Sequence, residues 1–287
     1  MRSIVLQRYY VFLVALLLSG CSFVRTGYDQ LDTITYWWMN RYLEFNDVQA
    51  REVKADIKTF HDWHRNTQLP AYADILAELQ QMAKTELSPA DACDVIAKAR
   101  DRFDILLLRT APQVSSLALS LKPVNMKRLR KKMIEEDKQW REKWLDISPE
   151  KLAEDRSDQW RDRSEFFYGR LNDAQKLAIS EAIARSALDP KISWMLRQKR
   201  QEDMLATLEK IRTSKPSPSM AETEIRALIE RSLHPEDAVG AAMRHNLFNE
   251  ACVNAAAMHQ LATPAQRKFA QEKLAGLEQD FRKLAAR

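Results

Sequence analysis

Three thiols and two neighbouring imidazoles are the residues with the most chemistry to offer. Cys21, Cys93 and Cys252 are the cysteines. Cys21 follows Leu18-Ser19-Gly20, where small neighbours leave a thiol open to alkylation. Setting it aside leaves Cys93 and Cys252, an even pair that in an oxidising compartment can close one disulfide between early and late parts of the chain. Two buried free thiols are the other reading, because cysteine packs as a small apolar residue. His61 and His64 stand three apart on an expected helix and share a face, with Asp62 between them. Two imidazoles can begin a metal site, but a catalytic zinc site takes three protein ligands. No third is identifiable, so both are read as capping or core-edge histidines beside Trp63, and no metal or other cofactor is expected.

Familiar catalytic words do not occur. There is no His-Glu-x-x-His, no Gly-x-Ser-x-Gly, no phosphate-binding Gly/Lys/Ser loop, and no Glu-Ser pair of the kind a lytic transglycosylase requires. The basic run Lys127 to Lys132 is followed by Glu135, Glu136 and Asp137, with which it can pair along a helix, so it reads as a solvated face. These observations disfavour an enzyme.

The N-terminal residues speak about location. Arg2 and Arg8 precede the apolar run Tyr9 to Leu18, and small residues follow, the layout of a secretory signal. The run is shorter than the roughly 20 helical residues needed to cross a bilayer. Leu18-Ser19-Gly20-Cys21 resembles the bacterial lipobox. That resemblance implies cleavage before Cys21, a diacylglyceryl group on its thiol and two or three acyl chains as a stable anchor, since one chain binds only marginally. Ser22 stands where an aspartate would imply retention at the inner membrane, so the resemblance implies the outer membrane, periplasmic side.

Composition agrees with a helical secreted body. Loss of Arg2 and Arg8 lowers the formal net charge of +5 to +3 on a surface rich in both signs, which argues for solubility more than for a polyanion. The secreted address excludes nucleic acid. The 287 residues are 45% hydrophobic and 30% charged with only five glycines, enough apolar mass for a sizeable core and too few glycines for many tight hairpins. The expected class is all-α, an irregular array of helices and helical hairpins.

Those helices must position everything else. Asn46 with Gln49, Asn172 with Gln175 and Thr263 with Gln266 have capping-box spacing. Ser88-Pro89, Ser148-Pro149, Lys122-Pro123 and Asp189-Pro190 place proline at a first helical position. The signals predict helices over 46–66, 71–87, 89–109, 112–121, 123–146, 149–168, 173–188, 190–212, 220–232, 235–260 and 264–286, preceded by one that begins near Leu31. Met126, Leu129, Met133, Trp140 and Trp144 mark one apolar face, and Trp160, Phe167, Leu171, Leu177, Ile179 and Ile183 continue the pattern. Tyr36, Trp37 and Trp38 are read first as core of the opening helix, and otherwise as aromatic side chains at the level of lipid headgroups. The domain reading is a signal peptide (1–20), a lipidated tether (21–30), a main helical domain (31–212), a Pro/Ser-rich flexible linker (213–219) and a C-terminal helical segment (220–287).

With these residues in hand, the chain resembles a family of uncharacterised Gram-negative lipoproteins known only as a domain of unknown function. The resemblance is carried by the lipobox, Tyr28, Tyr36-Trp37-Trp38, Gln49, Trp63-His64-Arg65, Leu69-Pro70, Trp140-Arg141, Trp144, Gly169-Arg170-Leu171 and Gln175, over residues 18 to 205. It implies no activity. A weaker similarity is to the Spy/CpxP-type periplasmic chaperones, whose Leu-Thr-x-x-Gln word is nearly matched at Leu171–Gln175 and Ala262–Gln266. The functional expectation is a membrane-anchored, non-enzymatic envelope protein that serves as scaffold or chaperone-like binder for an envelope protein or peptide. The alternative is an enzyme acting on envelope polymers such as peptidoglycan through an unrecognised carboxylate.

Overall fold

Helix starts dominate the architecture. In the computed structural model, which describes residues 26–234 and 237–287, Ser88, Ser148, Asp189, Ser217 and Thr263 each accept a hydrogen bond from a backbone N–H of the first turn and are followed by proline. The side chain satisfies an orphan donor, and proline removes another. Among the described residues there is no strand, and beyond a short helical stretch at 26–29 there are twelve α-helices: α1 (Leu31–Leu43), α2 (Asp47–Trp63), α3 (Leu69–Met82), α4 (Pro89–Arg109), α5 (Ala111–Ser120), α6 (Pro123–Trp144), α7 (Pro149–Tyr168), α8 (Asp173–Ala184), α9 (Pro190–Ser214), α10 (Pro218–Leu233), α11 (Ala238–Gln260) and α12 (Pro264–Ala285). No helix among these residues is long and apolar enough to cross a membrane. The signal segment 1–20 and Cys21 lie outside the described residues.

Three departures from the sequence reading have local causes. Leu69-Pro70 was expected to separate two helices, but α2 runs into α3 through one π-helical turn, His64–Gln68. Proline lacks the N–H of a normal turn and its ring crowds the carbonyl four residues back; widening the preceding turn relieves both. The expected linker 213–219 contracts to three residues. Lys215, at φ +47°, closes α9, and Ser217 caps α10. The expected tether 21–30 is folded in its described part, because residues 26–29 are helical and Tyr28 is buried.

The apolar surfaces gather in three places. The largest cluster joins α5, α6, α9 and α10 through Ala111, Leu129, Ile211 and Ile225 among others. Ile211 and Ile225 are fully buried, each worth about 1.5–3 kcal/mol. A second cluster holds Leu171, Ile179, Ile183 and Met258, with Trp160 against it. The third joins Tyr28, Leu69 and Leu284 between α3 and α12. Trp140 stacks on Trp194 of α9 at 5.4 Å, whereas Leu177 and Phe167, expected on an apolar face, stand exposed.

The C-terminal helices are woven into the rest. α10 packs on α5, α11 on α4, and α12 along α3. Cys93 of α4 and Cys252 of α11 are joined in a disulfide across 159 residues of sequence. Gly240 lets α11 approach α9, since a Cβ there would lie 2.7 Å from Leu196.

Helix starts are also tied to one another. Gln175, fully buried, receives the Asn172 N–H at 3.0 Å and exchanges side-chain hydrogen bonds of 3.2 and 2.9 Å with Gln266, which receives the Thr263 N–H. Gln49 donates to the Ser120 carbonyl at 2.9 Å and to Asn125 at 3.4 Å. Asn125 in turn receives the Lys122 N–H and donates to the Leu43 carbonyl at 2.7 Å.

Gln175→Leu strands its partner amide and is expected to lower unfolding free energy by about 1–3 kcal/mol in urea titration. Cys93→Ser with Cys252→Ser opens the long closed loop and is expected to cost about 2–4 kcal/mol by the same measurement. Thiol labelling only after reduction checks the bridge itself.

Candidate functional site

A pocket of about 300 Å³ opens between α1, α2, α4 and α5. Leu31, Thr35 and Met39 reach it from α1, spaced by four so that one face of the helix supplies all three. Val53, Ile57 and Phe60 come from α2, Leu106 from α4, and Val114 and Leu117 from α5. The walls are mostly carbon. Where an engineered apolar cavity of ~150 Å³ holds benzene, this one has room for about a dozen carbon atoms.

Polar side chains interrupt the carbon, among them Asp56, His61, His64 and Gln113. Asp56 has its carboxyl pKa raised by burial and by Glu52 one turn away. His61 Nε2 and Gln113 Oε1 are buried without a hydrogen-bond partner. His64 faces the pocket too, and its Nδ1 shares a 2.8 Å hydrogen bond with the Tyr28 hydroxyl.

Tyr28 is held in layers. The His61 ring stacks on it at 4.5 Å and the Arg65 guanidinium lies 5.4 Å from its centroid. Asp29 bridges Arg65 and Arg287, so the start of the folded chain is tied to its end. Burial pushes the Tyr28 hydroxyl up to about 12, and burial with the neighbouring His61 pushes His64 down to about 4. At neutral pH the pair is therefore a protonated phenol beside a neutral imidazole, a fixed dipole. General acid–base work favours groups that titrate near the working pH.

The sequence-selected residues thus part company. His61 and His64 come together at the pocket, with ring faces and nitrogens directed to Tyr28 and the cavity. Among the described residues, no group of three or more His, Cys, Asp or Glu is placed to hold a metal. Tyr36 lies under the Lys54 ammonium at 4.5 Å, while Trp37 and Trp38 project from α1 as exposed side chains. α1 has no buried residue, so these aromatics are not core. Asp56 and Gln113 carried no local signal: each becomes notable only because α2 and α5 meet. The basic run from Lys127 borders α9, with Lys132 paired to Glu135 at 3.1 Å.

Neutral His64 makes stability depend on pH. Its folded pKa lies below the unfolded value near ~6.5, so between about 6.5 and 4 the unfolded chain binds a proton that the folded chain does not. Stability is full above that window and falls as pH drops through it. His259, buried against Tyr168 and Thr85, is depressed in the same direction. His64→Gln is expected to flatten the loss between pH 7 and 4.5 in urea midpoints and to leave the His259 share.

Comparison with known proteins places the chain without assigning an activity. No curated protein and no solved structure matches it. A family profile matches residues 41–237, which takes in the pocket walls from Val53 to Leu117. The chain belongs to the family of unknown function DUF6279.

Proposed function

We propose that this chain is a lipid-anchored protein of the cell envelope that binds a partner and does no chemistry on it, the apolar pocket beneath α1 receiving side chains of an envelope protein or peptide. The observation that carries this reading is the carbon-lined pocket with His61 Nε2 and Gln113 Oε1 buried and unpartnered at its wall. Binding sites combine an apolar body with a few placed polar groups. A buried acceptor without a donor is costly, and a peptide N–H supplies the missing donor while its side chain fills the carbon-lined space. The lipobox resemblance and Ser22 support anchoring at the outer membrane, facing the periplasm.

A hydrolytic reading has one observation behind it, the raised carboxyl of Asp56 in the same pocket. The two readings separate on one substitution. Asp56→Asn removes an acid and preserves shape, so a binder keeps its affinity and a hydrolase loses turnover.

Val114→Phe is expected to fill the pocket and weaken binding of an apolar fluorescent probe by about tenfold, or ~1.4 kcal/mol, with unchanged far-ultraviolet circular dichroism. A photocrosslinking residue at Thr35 in cells is expected to capture an envelope protein. Probe affinity indifferent to Val114→Phe, together with no protein adduct at Thr35, would sink the proposal; turnover of peptidoglycan that Asp56→Asn abolishes would replace it.

A further inference from the structure

We infer that the outward face of α1 lies on the bilayer, with Trp37 and Trp38 seated among the lipid headgroups and the acyl chains on Cys21 holding the helix there. The inference rests on the lipid-anchor reading of Cys21. Its own evidence is the surface of α1. Ile34, Trp37 and Trp38 are 55%, 62% and 57% exposed, and spacings of three and four from Ile34 gather them along one side of the helix, with Leu31 at the edge this side shares with the pocket. Isolated exposed apolar residues are ordinary, whereas a contiguous stripe with two indoles marks an interaction surface. α1 carries this stripe while burying none of its own residues.

Chain length selects the occupant. Four residues lie between Cys21 and Thr26, where the described helical segment begins, and at ~3.3–3.6 Å per extended residue the five steps span at most about 18 Å. A lipid on Cys21 therefore keeps the start of the fold within a headgroup layer's distance of the hydrocarbon. Buried Tyr28, hydrogen-bonded to His64, fixes the direction in which the chain then leaves for α1. Among the described residues, the stripe is thus the exposed apolar surface nearest the anchor in sequence.

Side-chain type fits a headgroup layer. Trp and Tyr favour that zone because their rings are apolar bodies with a polar edge. Tyr36 meets Trp37 edge-on at 6.0 Å and Trp38 rests 4.7 Å from Tyr42, so the indoles are backed by other rings. Thr35 and Met39, which line the pocket with Leu31, lie on a different side of α1 from Ile34, Trp37 and Trp38, so seating those three leaves the pocket wall intact.

The test uses the full-length protein, purified from membranes and reconstituted in phosphatidylethanolamine/phosphatidylglycerol vesicles that contain phosphatidylcholine brominated on its acyl chains. Mass spectrometry first establishes acylation of Cys21; an unacylated Cys21 overturns the anchor reading and this inference with it. With acylation present, tryptophan emission is expected to be quenched, and Trp37→Phe with Trp38→Phe to reduce that quenching by about twofold or more. The double variant stays anchored and folded, since both indoles are exposed. Equal quenching in the two proteins, no quenching in either, or a photocrosslinker at position 37 that captures protein in place of lipid each overturns the inference while leaving the anchor standing.

Discussion

Buried amides that belong to two helix starts at once are the constraint on which this fold depends. Apolar contacts between helices tolerate sliding, because one methyl group replaces another at little cost. A buried amide does not, since each lost hydrogen bond leaves a desolvated donor or acceptor. Gln49 caps α2 and also reaches the end of α5 and the start of α6; Gln175 caps α8 and holds the corresponding glutamine of α12. With the apolar residues divided among three clusters, these links set the register between them.

The pocket inherits its shape from the same device. One wall is α2 from Val53 to His61, the other is α5 from Gln113 to Leu117. Gln49 joins the beginning of the first wall to Ser120 at the end of the second. At the far end the π turn beginning at His64 redirects the chain into α3, and Tyr28 fills the corner against His61, His64 and Leu69. A widened turn at a cavity rim is a common way to present a side chain that a regular helix would turn elsewhere. Here Pro70 supplies the cause and His64 is the residue presented.

How much of this could be read beforehand differs by interaction range. Capping boxes at Asn46, Asn172 and Thr263 were legible because three-residue spacing is a local property, and the all-α class followed from them and from the scarcity of glycine. Met126, Leu129 and Met133 were legible as core for the same reason. Pro70 misled, since its usual effect is to break a helix and a π turn is the less common remedy. Pro216 and Pro218 misled in the opposite sense, because a Pro/Ser-rich word suggests flexibility while Ser217-Pro218 is a cap and a first turn. The second partners of Gln49 and Gln175, and the pocket that Asp56 and Gln113 share, depend on contacts dozens of residues away. No pattern within one helix encodes them.

α1 differs from the helices it covers in where its stability comes from. Its flanks are fixed: Tyr28 and Asp29 before it bond to His64 and Arg65, and the Leu43 carbonyl after it receives Asn125. Its middle contributes no buried residue, although Tyr42 near its end donates to Glu136 of α6. Local opening free energy scales with the apolar contacts and protected hydrogen bonds that opening removes, so the centre of α1 is the cheapest part of the pocket wall to displace, and its fixed flanks keep such a displacement local. The outward stripe and the pocket wall thus belong to one thinly packed helix whose two ends are fixed to the rest of the fold.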